Sequence, residues 1–240
     1  MKFLINKSTA LVLISSVIGS IFATNLSVIA LPEEEIVNKL RQIVVFAIVN
    51  EKGSPLVTLV DNQKNEKPVF ITRNDAQSFI NHKLAPNQSE FTGQLKIREV
   101  FLADIYKLIK DDAKNNNNSR FRFTPSFQEV SSATRILGKG KTFPEVPLFF
   151  VNLPNDAQTV VYLERKLGED SVIPLFFEKE GAEEMIAQFK RENPDLNPKL
   201  EIGVTSLELV LERFEQEDNE TVHKMVLEPT EESLEFLRSL

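Results

Sequence analysis

The sequence has no cysteine, no tryptophan and only two histidines among its 240 residues. The lack of cysteine excludes disulfide frameworks, thiol catalysis and zinc sites built on cysteine. Two histidines are too few for a histidine-rich metal site, so we expect no metal. The aromatic residues are 18 Phe and 2 Tyr, so nearly all of the bulky apolar surface lacks a hydrogen-bonding group. The hydrophobic share of 42% and the charged share of 26% are typical of a globular protein.

The first 30 residues have the pattern of a secretory signal peptide. Two lysines precede the uncharged stretch Ser8–Leu31, which has an apolar centre and a polar end with small residues. This order predicts export followed by cleavage. The cleavage site follows either Ala23 or Ala30. The residues at positions −3 and −1, Val28 and Ala30, are small enough to favour the site after Ala30. A retained anchor is the alternative, because the stretch is long enough to span a bilayer.

The charge of the mature chain bears on its partners. Removal of residues 1–30 takes away two lysines and no acid, so 28 basic residues become 26 against 35 acidic ones, a formal charge of −9. Binding to a phosphate backbone needs concentrated positive charge, so we expect no nucleic-acid partner. No other apolar run approaches the length of a membrane span, so we expect no stable membrane insertion of the mature chain.

The remaining chain contains two copies of one unit. Pro68–Ile71 aligns with Pro174–Phe177 at an offset of 106 residues, and the apolar positions around them keep offsets of 103 to 105. The copies span about residues 42–137 and 145–240. Each predicts three strands followed by helix, strand, helix, strand and helix. We therefore expect one α+β domain over residues 31–240, with two pseudo-symmetric repeats in a two-lobed body and helices outside the sheets.

One helix of the second copy has a clear apolar face. Ala182, Met185, Ile186 and Phe189 stand at the spacing of one helical stripe. Pro194 ends the pattern. The sequence therefore predicts a helix that packs this stripe against a sheet.

Phenylalanines on the predicted strands are the candidate binding residues. Side chains alternate along a strand, so the doublets Phe149–Phe150 and Phe176–Phe177 each place one ring on either face of a sheet. Either both faces are buried, as in sheets covered on two sides, or one face forms an apolar groove for a protein or a lipid. The candidate groove residues are Phe46, Phe70, Phe149, Phe150, Phe176 and Phe177.

No motif in the sequence indicates catalysis. Gly138–Thr142 is similar to a phosphate-binding loop, but Arg135 stands where the first glycine of that motif belongs. Acidic pairs such as Glu183–Glu184 lie on polar faces of predicted helices, where carboxylates are usually solvated. We expect no enzyme, although catalytic groups assembled in space would escape a search for motifs.

Several motifs together resemble one known family. They are Pro147–Val151, Pro174–Lys179, Gln188–Leu196 and Ser206–Leu207. With Pro32–Glu35 directly after the predicted signal peptide, they resemble the Tic twenty-two-like family over essentially the whole mature chain. That family contains an intermembrane-space component of the plastid protein-import machinery and its cyanobacterial relatives.

The resemblance implies a soluble, cofactor-free protein without catalytic residues, with apolar pockets on each side. It implies a chaperone-like role in protein transport and outer-membrane biogenesis, with unfolded or translocating envelope proteins as partners, including outer-membrane barrel precursors. The implied location is the periplasm, with the thylakoid lumen or a plastid intermembrane-type space as alternatives. An envelope hydrolase of unknown substrate and a structural scaffold protein are the alternative functions.

Overall fold

The computed structural model describes residues 11–12, 30–60, 64–84, 95–115, 119–138, 140–154 and 160–240. These residues form eight α-helices, one π-helical turn and two sheets, which confirms the expected α+β class. The predicted signal peptide lies outside the described residues except for Ala30 and a two-residue strand, β1 (Leu11–Val12). None of the described helices is long and apolar enough to cross a bilayer.

The first half of the chain forms a five-stranded sheet. Its elements are α1 (Glu33–Leu40), β2 (Val44–Val49), β3 (Thr58–Val60), β4 (Lys64–Phe70), α2 (Arg73–Phe79), the π-helical turn (Ile80–Leu84), β5 (Lys96–Phe101), α3 (Leu102–Lys114), β6 (Ser119–Thr124) and α4 (Phe127–Leu137). Strand β4 is central: it pairs antiparallel with β2 and β3 and parallel with β6. Strand β5 pairs antiparallel with β2.

The second half forms the other sheet with the same strand directions. Its elements are β7 (Pro147–Leu153), β8 (Val161–Tyr162), β9 (Glu164–Leu167), β10 (Asp170–Phe176), α5 (Lys179–Glu192), β11 (Glu201–Ser206), α6 (Leu207–Gln216), α7 (Glu220–Lys224), β12 (Met225–Glu228) and α8 (Glu231–Ser239). Strand β10 pairs antiparallel with β7 and β9 and parallel with β12. Strands β8 and β11 pair with β7, and β1 pairs with β9.

Residues matched by the sequence repeat form matching cross-strand pairs. Phe46 pairs with Phe70 in the first sheet, and Phe149 pairs with Phe176 in the second. These positions differ by 103 and 106 residues, which are offsets of the sequence repeat. The shared register favours a repeated unit, while the pseudo-symmetry of the two complete halves stays a prediction.

Both sheets are covered on two faces. Inner side chains of the first sheet, such as Val45, and of the second, such as Leu148, share one central core with α1, α3 and α6. The outer face of the first sheet, which includes Phe46, packs against α2 and the π-helical turn. The outer face of the second sheet, which includes Phe149, packs against α5.

The last helix of each half covers the sheet of the other half. Helix α4 contacts β7 and β11 of the second sheet, and its Ala133 is fully buried there. Helix α8 contacts β2 of the first sheet. Its Phe236 packs edge-on against Phe101, with ring centroids 6.4 Å apart. Each sheet is therefore completed by a helix from the opposite half.

The exchanged helices also cap helices of the opposite half. On α4, Glu129 Oε2 accepts a hydrogen bond from the Lys179 amide at 3.1 Å, at the start of α5. On α8, Glu232 Oε2 accepts one from the Arg73 amide at 2.9 Å, at the start of α2. Amides in the first turn of a helix lack intrahelical partners, and the helix dipole favours a negative charge beside them. The two contacts therefore join the halves in equivalent ways.

The buried Ser233 of α8 tests whether this helix stabilises the sheet of the opposite half. The Ser233 hydroxyl accepts a hydrogen bond from the Val44 amide at 3.3 Å and donates one to the Val44 carbonyl at 3.0 Å. Ser233→Ala should lower the free energy of unfolding by about 1–3 kcal/mol, because buried polar groups of β2 lose a partner. Urea denaturation measures this change.

The matched control is Ser131→Ala, which removes an exposed hydroxyl from α4. We expect it to change the free energy of unfolding by less than about 0.5 kcal/mol. Equal small effects at the two serines would contradict a role for Ser233 in joining the halves.

Candidate functional site

The structure buries five of the six candidate phenylalanines. Phe46, Phe70, Phe149, Phe150 and Phe177 are each at most 8% exposed. Each doublet does divide between the two faces of the sheet, but helices cover both faces. The alternative that both faces are core therefore accounts for these five rings, and they form no open groove along the sheets. The sixth candidate, Phe176, is half-buried.

Two glycines show how tightly the rings of Phe150 and Phe176 are covered. A Cβ atom on Gly203 would overlap the ring of Phe150, its cross-strand neighbour. A Cβ atom on Gly181 would overlap the ring of Phe176 in the same way. The main chain of β11 and of α5 thus lies directly against these rings, which leaves no space for a ligand on those sides.

A cavity of about 670 Å³ opens where the two halves meet. The residues around it follow the ends of the central strands β4 and β10, lie at the start of β7 and occupy the starts of α2, α4, α5 and α8. Its volume falls within the range of about 300–1,000 Å³ that is usual for ligand sites. It is therefore the candidate functional site.

The floor of the cavity is apolar and its edge carries an exposed aromatic ring. The floor consists of the buried residues Ile71, Val146, Pro147 and Phe177, so Phe177 is the one candidate from the sequence that borders the cavity. At the edge lies Phe127, the first residue of α4, which is 86% exposed. Sequence reasoning missed Phe127, because a single phenylalanine within an apolar helical spacing reads as a core residue.

Four carboxylates also border the cavity, and we call Asp75, Glu129, Glu178 and Glu180 the acidic rim. None of the described residues around the cavity is basic. Asp75 accepts a hydrogen bond from the Thr72 hydroxyl at 2.6 Å. Glu178 accepts one from the amide at the start of α8. Most of the rim is therefore engaged by groups at helix ends.

Burial and mutual repulsion shift two of these carboxyls. Burial raises the pKa of Glu129 above its usual range, and the charges of Glu178 and Glu180 raise it further. Partial burial raises the pKa of Glu178, and Glu180, Glu231 and Glu232 add to the rise. Backbone hydrogen bonds oppose both shifts. Within the described ranges, no group of three or more acids and histidines is placed to hold a metal ion.

Glu208 lies directly behind the cavity floor. Its Oε2 accepts a hydrogen bond from the Val146 amide at 3.3 Å. Burial raises the pKa of Glu208 to about 7, and the charge of Glu145 adds to the rise. The folded protein therefore holds this proton more tightly than the unfolded chain does.

Replacement of Glu208 should change the pH dependence of stability. Because its folded pKa exceeds the ordinary value of 4.5, its contribution to stability is fully present below about pH 4.5 and is lost as the pH rises through 7. Glu208→Gln keeps an oxygen for the Val146 amide and removes the charge. We expect the variant to exceed the wild type by about 1–2 kcal/mol in free energy of unfolding at pH 8, and to lose this advantage at pH 4.

Urea denaturation at both pH values measures this difference. Glu212→Gln, at an exposed position of the same helix, is the control and should follow the wild type at both. An equal gain from Glu208→Gln at the two pH values would show that its charge is not the cause.

Comparisons with known proteins identify the family. The sequence profile of the Tic22-like family matches residues 6–239. The structure is similar to Anabaena Tic22, a protein of protein transport, with a TM-score of 0.71 and 30% identity over 88% of this chain and 98% of that one. It shares its fold with Tic22 from Plasmodium falciparum, with a TM-score of 0.66 and 22% identity over 85% of this chain and 96% of that one. A comparison with curated proteins finds no match. This chain belongs to the Tic22-like family, as its sequence motifs indicated.

Proposed function

We propose that this protein acts in protein transport in the cell envelope, as a chaperone-like protein that captures apolar segments of unfolded or translocating proteins without ATP. The observation that carries the proposal is the 86% exposure of Phe127 at the edge of a cavity with an apolar floor. Contact with an aromatic ring and an apolar floor is non-directional, which suits many client sequences. The similarity to Anabaena Tic22, a protein of protein transport, supports the same role.

The proposed client site is the cavity and not the outer faces of the sheets. Phe127 supplies its exposed aromatic ring and the buried Phe177 lies in its floor, whereas the other candidate phenylalanines pack within the two sheets. The clients that we propose include outer-membrane barrel precursors, and the compartment is the periplasm. The predicted signal peptide supports that location. The negative net charge of the chain favours solubility of a complex with apolar clients.

An envelope hydrolase is the weaker candidate. The pKa values of Glu129 and Glu178 are raised, which is the direction of shift found in acid catalysts. Each of them, however, accepts a hydrogen bond from an amide at the start of a helix, and burial is the first cause of each shift. Capping of helices thus accounts for both carboxyls without catalysis.

The proposal is tested by the substitution Phe127→Ser. Light scattering reports aggregation of an unfolded outer-membrane barrel protein, titrated with the mature chain without nucleotide. We expect the wild type to suppress aggregation at near-stoichiometric ratios. The variant should need about tenfold more protein, because a phenylalanine contact contributes roughly 1.5–3 kcal/mol. Its urea midpoint should stay that of the wild type, since the ring is exposed in the free protein.

Two further variants serve as controls. Leu196→Ser removes an apolar side chain that is 51% exposed and lies outside the cavity, and it should leave suppression unchanged. Phe177→Ser removes a buried ring and should lower the free energy of unfolding by about 3–5 kcal/mol. Full suppression by Phe127→Ser would contradict the proposed site. A tight dimer that covers Phe127, at all concentrations in size-exclusion chromatography, would favour the scaffold alternative.

A further inference from the structure

We propose that the cavity prefers polypeptide segments in which an apolar side chain is flanked by lysine or arginine. The inference rests on the proposed function and specifies its class of client. The apolar floor and Phe127 fit the apolar side chain, and the acidic rim fits the flanking cations. Complementary charge of this kind selects among segments that are equally apolar.

The protein's own cations next to the cavity are committed to other acids. Arg73 and Lys179 are the first residues of α2 and α5, adjacent in the chain to residues of the cavity lining. The Arg73 guanidinium pairs with Glu99. The Lys179 ammonium pairs with Glu183 at 2.6 Å, and its effect on the pKa of Glu129 is smaller than those of burial and of the neighbouring acids. Neither of these two cations therefore pairs with the rim.

The rim offers acceptor oxygens to a cation from outside. Among the described residues, no lysine, arginine or histidine makes an ion pair with Asp75, Glu129, Glu178 or Glu180. The mutual repulsion of these carboxylates contributes to the raised pKa values of two of them. A lysine or arginine of a client relieves that repulsion, so its binding is favoured beyond that of an isolated exposed ion pair.

Two other occupants fit the cavity less well. Four helices begin at the cavity, an arrangement that attracts anions. The protein's own carboxylates already accept hydrogen bonds from amides at three of these starts, however: Glu129 at α5, Glu178 at α8 and Glu232 at α2. A second copy of the chain would bring its own negative net charge to an acidic surface. Neither occupant matches the charge of the rim.

Peptides of matched sequence test the preference directly. Three synthetic peptides share one Phe-Leu-Phe centre and carry two lysines, two glutamates or two glutamines on each side. Fluorescence anisotropy measures their affinity for the purified protein at about 20 mM and about 300 mM NaCl. At low salt the lysine-flanked peptide should bind about tenfold more tightly than the glutamate-flanked one. The difference should shrink at high salt, because salt screens exposed charges.

Substitutions in the rim locate the effect. The double variant Glu178→Gln and Glu180→Gln keeps oxygen acceptors for the amide at the start of α8 and removes two charges. It should weaken binding of the lysine-flanked peptide about fivefold and leave the glutamine-flanked peptide unchanged. The control, Glu184→Gln with Asp195→Asn, removes two exposed charges outside the cavity lining and should change neither affinity.

The outcomes separate this inference from the proposed function. If the three peptides bind equally and all lose affinity with Phe127→Ser, the cavity binds apolar segments and the charge preference is wrong. A preference for the glutamate-flanked peptide, or a lysine preference that ignores the rim substitutions, also overturns the inference. If no peptide binds, or Phe127→Ser changes nothing, the proposed function fails at this site.

Discussion

Each sheet of this protein depends on a helix from the other half to keep water from its outer face. All residues of β2 are buried, so this strand needs cover on two sides. Helix α2, from the same half, covers only part of the outer side. Helix α8 supplies the rest through Ser233 and Phe236, and α4 does the same for the second sheet through Ala133. Separation of the halves would remove these helices from the outer faces of both sheets, which favours one domain over two independent ones.

The same exchange of helices accounts for the cavity and much of its charge. Where α4 crosses to the second half, its first turn meets the start of α5, whose free amides need an acceptor. Glu129 supplies it at Lys179, and Glu178 does so at the start of α8. Capping concentrates carboxylates in one place, where burial and the charges of neighbouring acids raise the pKa of both. Capping alone does not explain why Arg73, next to the cavity, pairs with Glu99 and not with the rim. The unpaired carboxylates are what the proposed client would contact.

Periodicity in the sequence predicts the elements and their buried sides, because burial follows the geometry of each helix and strand. Ala182, Met185 and Phe189 form the buried stripe of α5, and the Phe149–Phe150 doublet divides between two cores. Periodicity states which side of an element is apolar, but not which sheet that side meets. Both sheets offer a similar apolar face, so the exchange of α4 and α8 follows only from tertiary packing.

Phe127 shows why the proposed site is harder to predict than the fold. It lies three residues before Val130, the spacing of neighbours on one apolar side of a helix. Ala133 does lie in the core, whereas Phe127 lies in the first turn of α4, which borders the cavity instead of the sheet. The phenylalanine doublets suit a sheet that is covered on both faces, because each doublet places one ring on either face. A site for apolar segments needs instead an apolar ring that does not pack against a sheet. Which ring that is depends on where a helix end lies relative to the cavity.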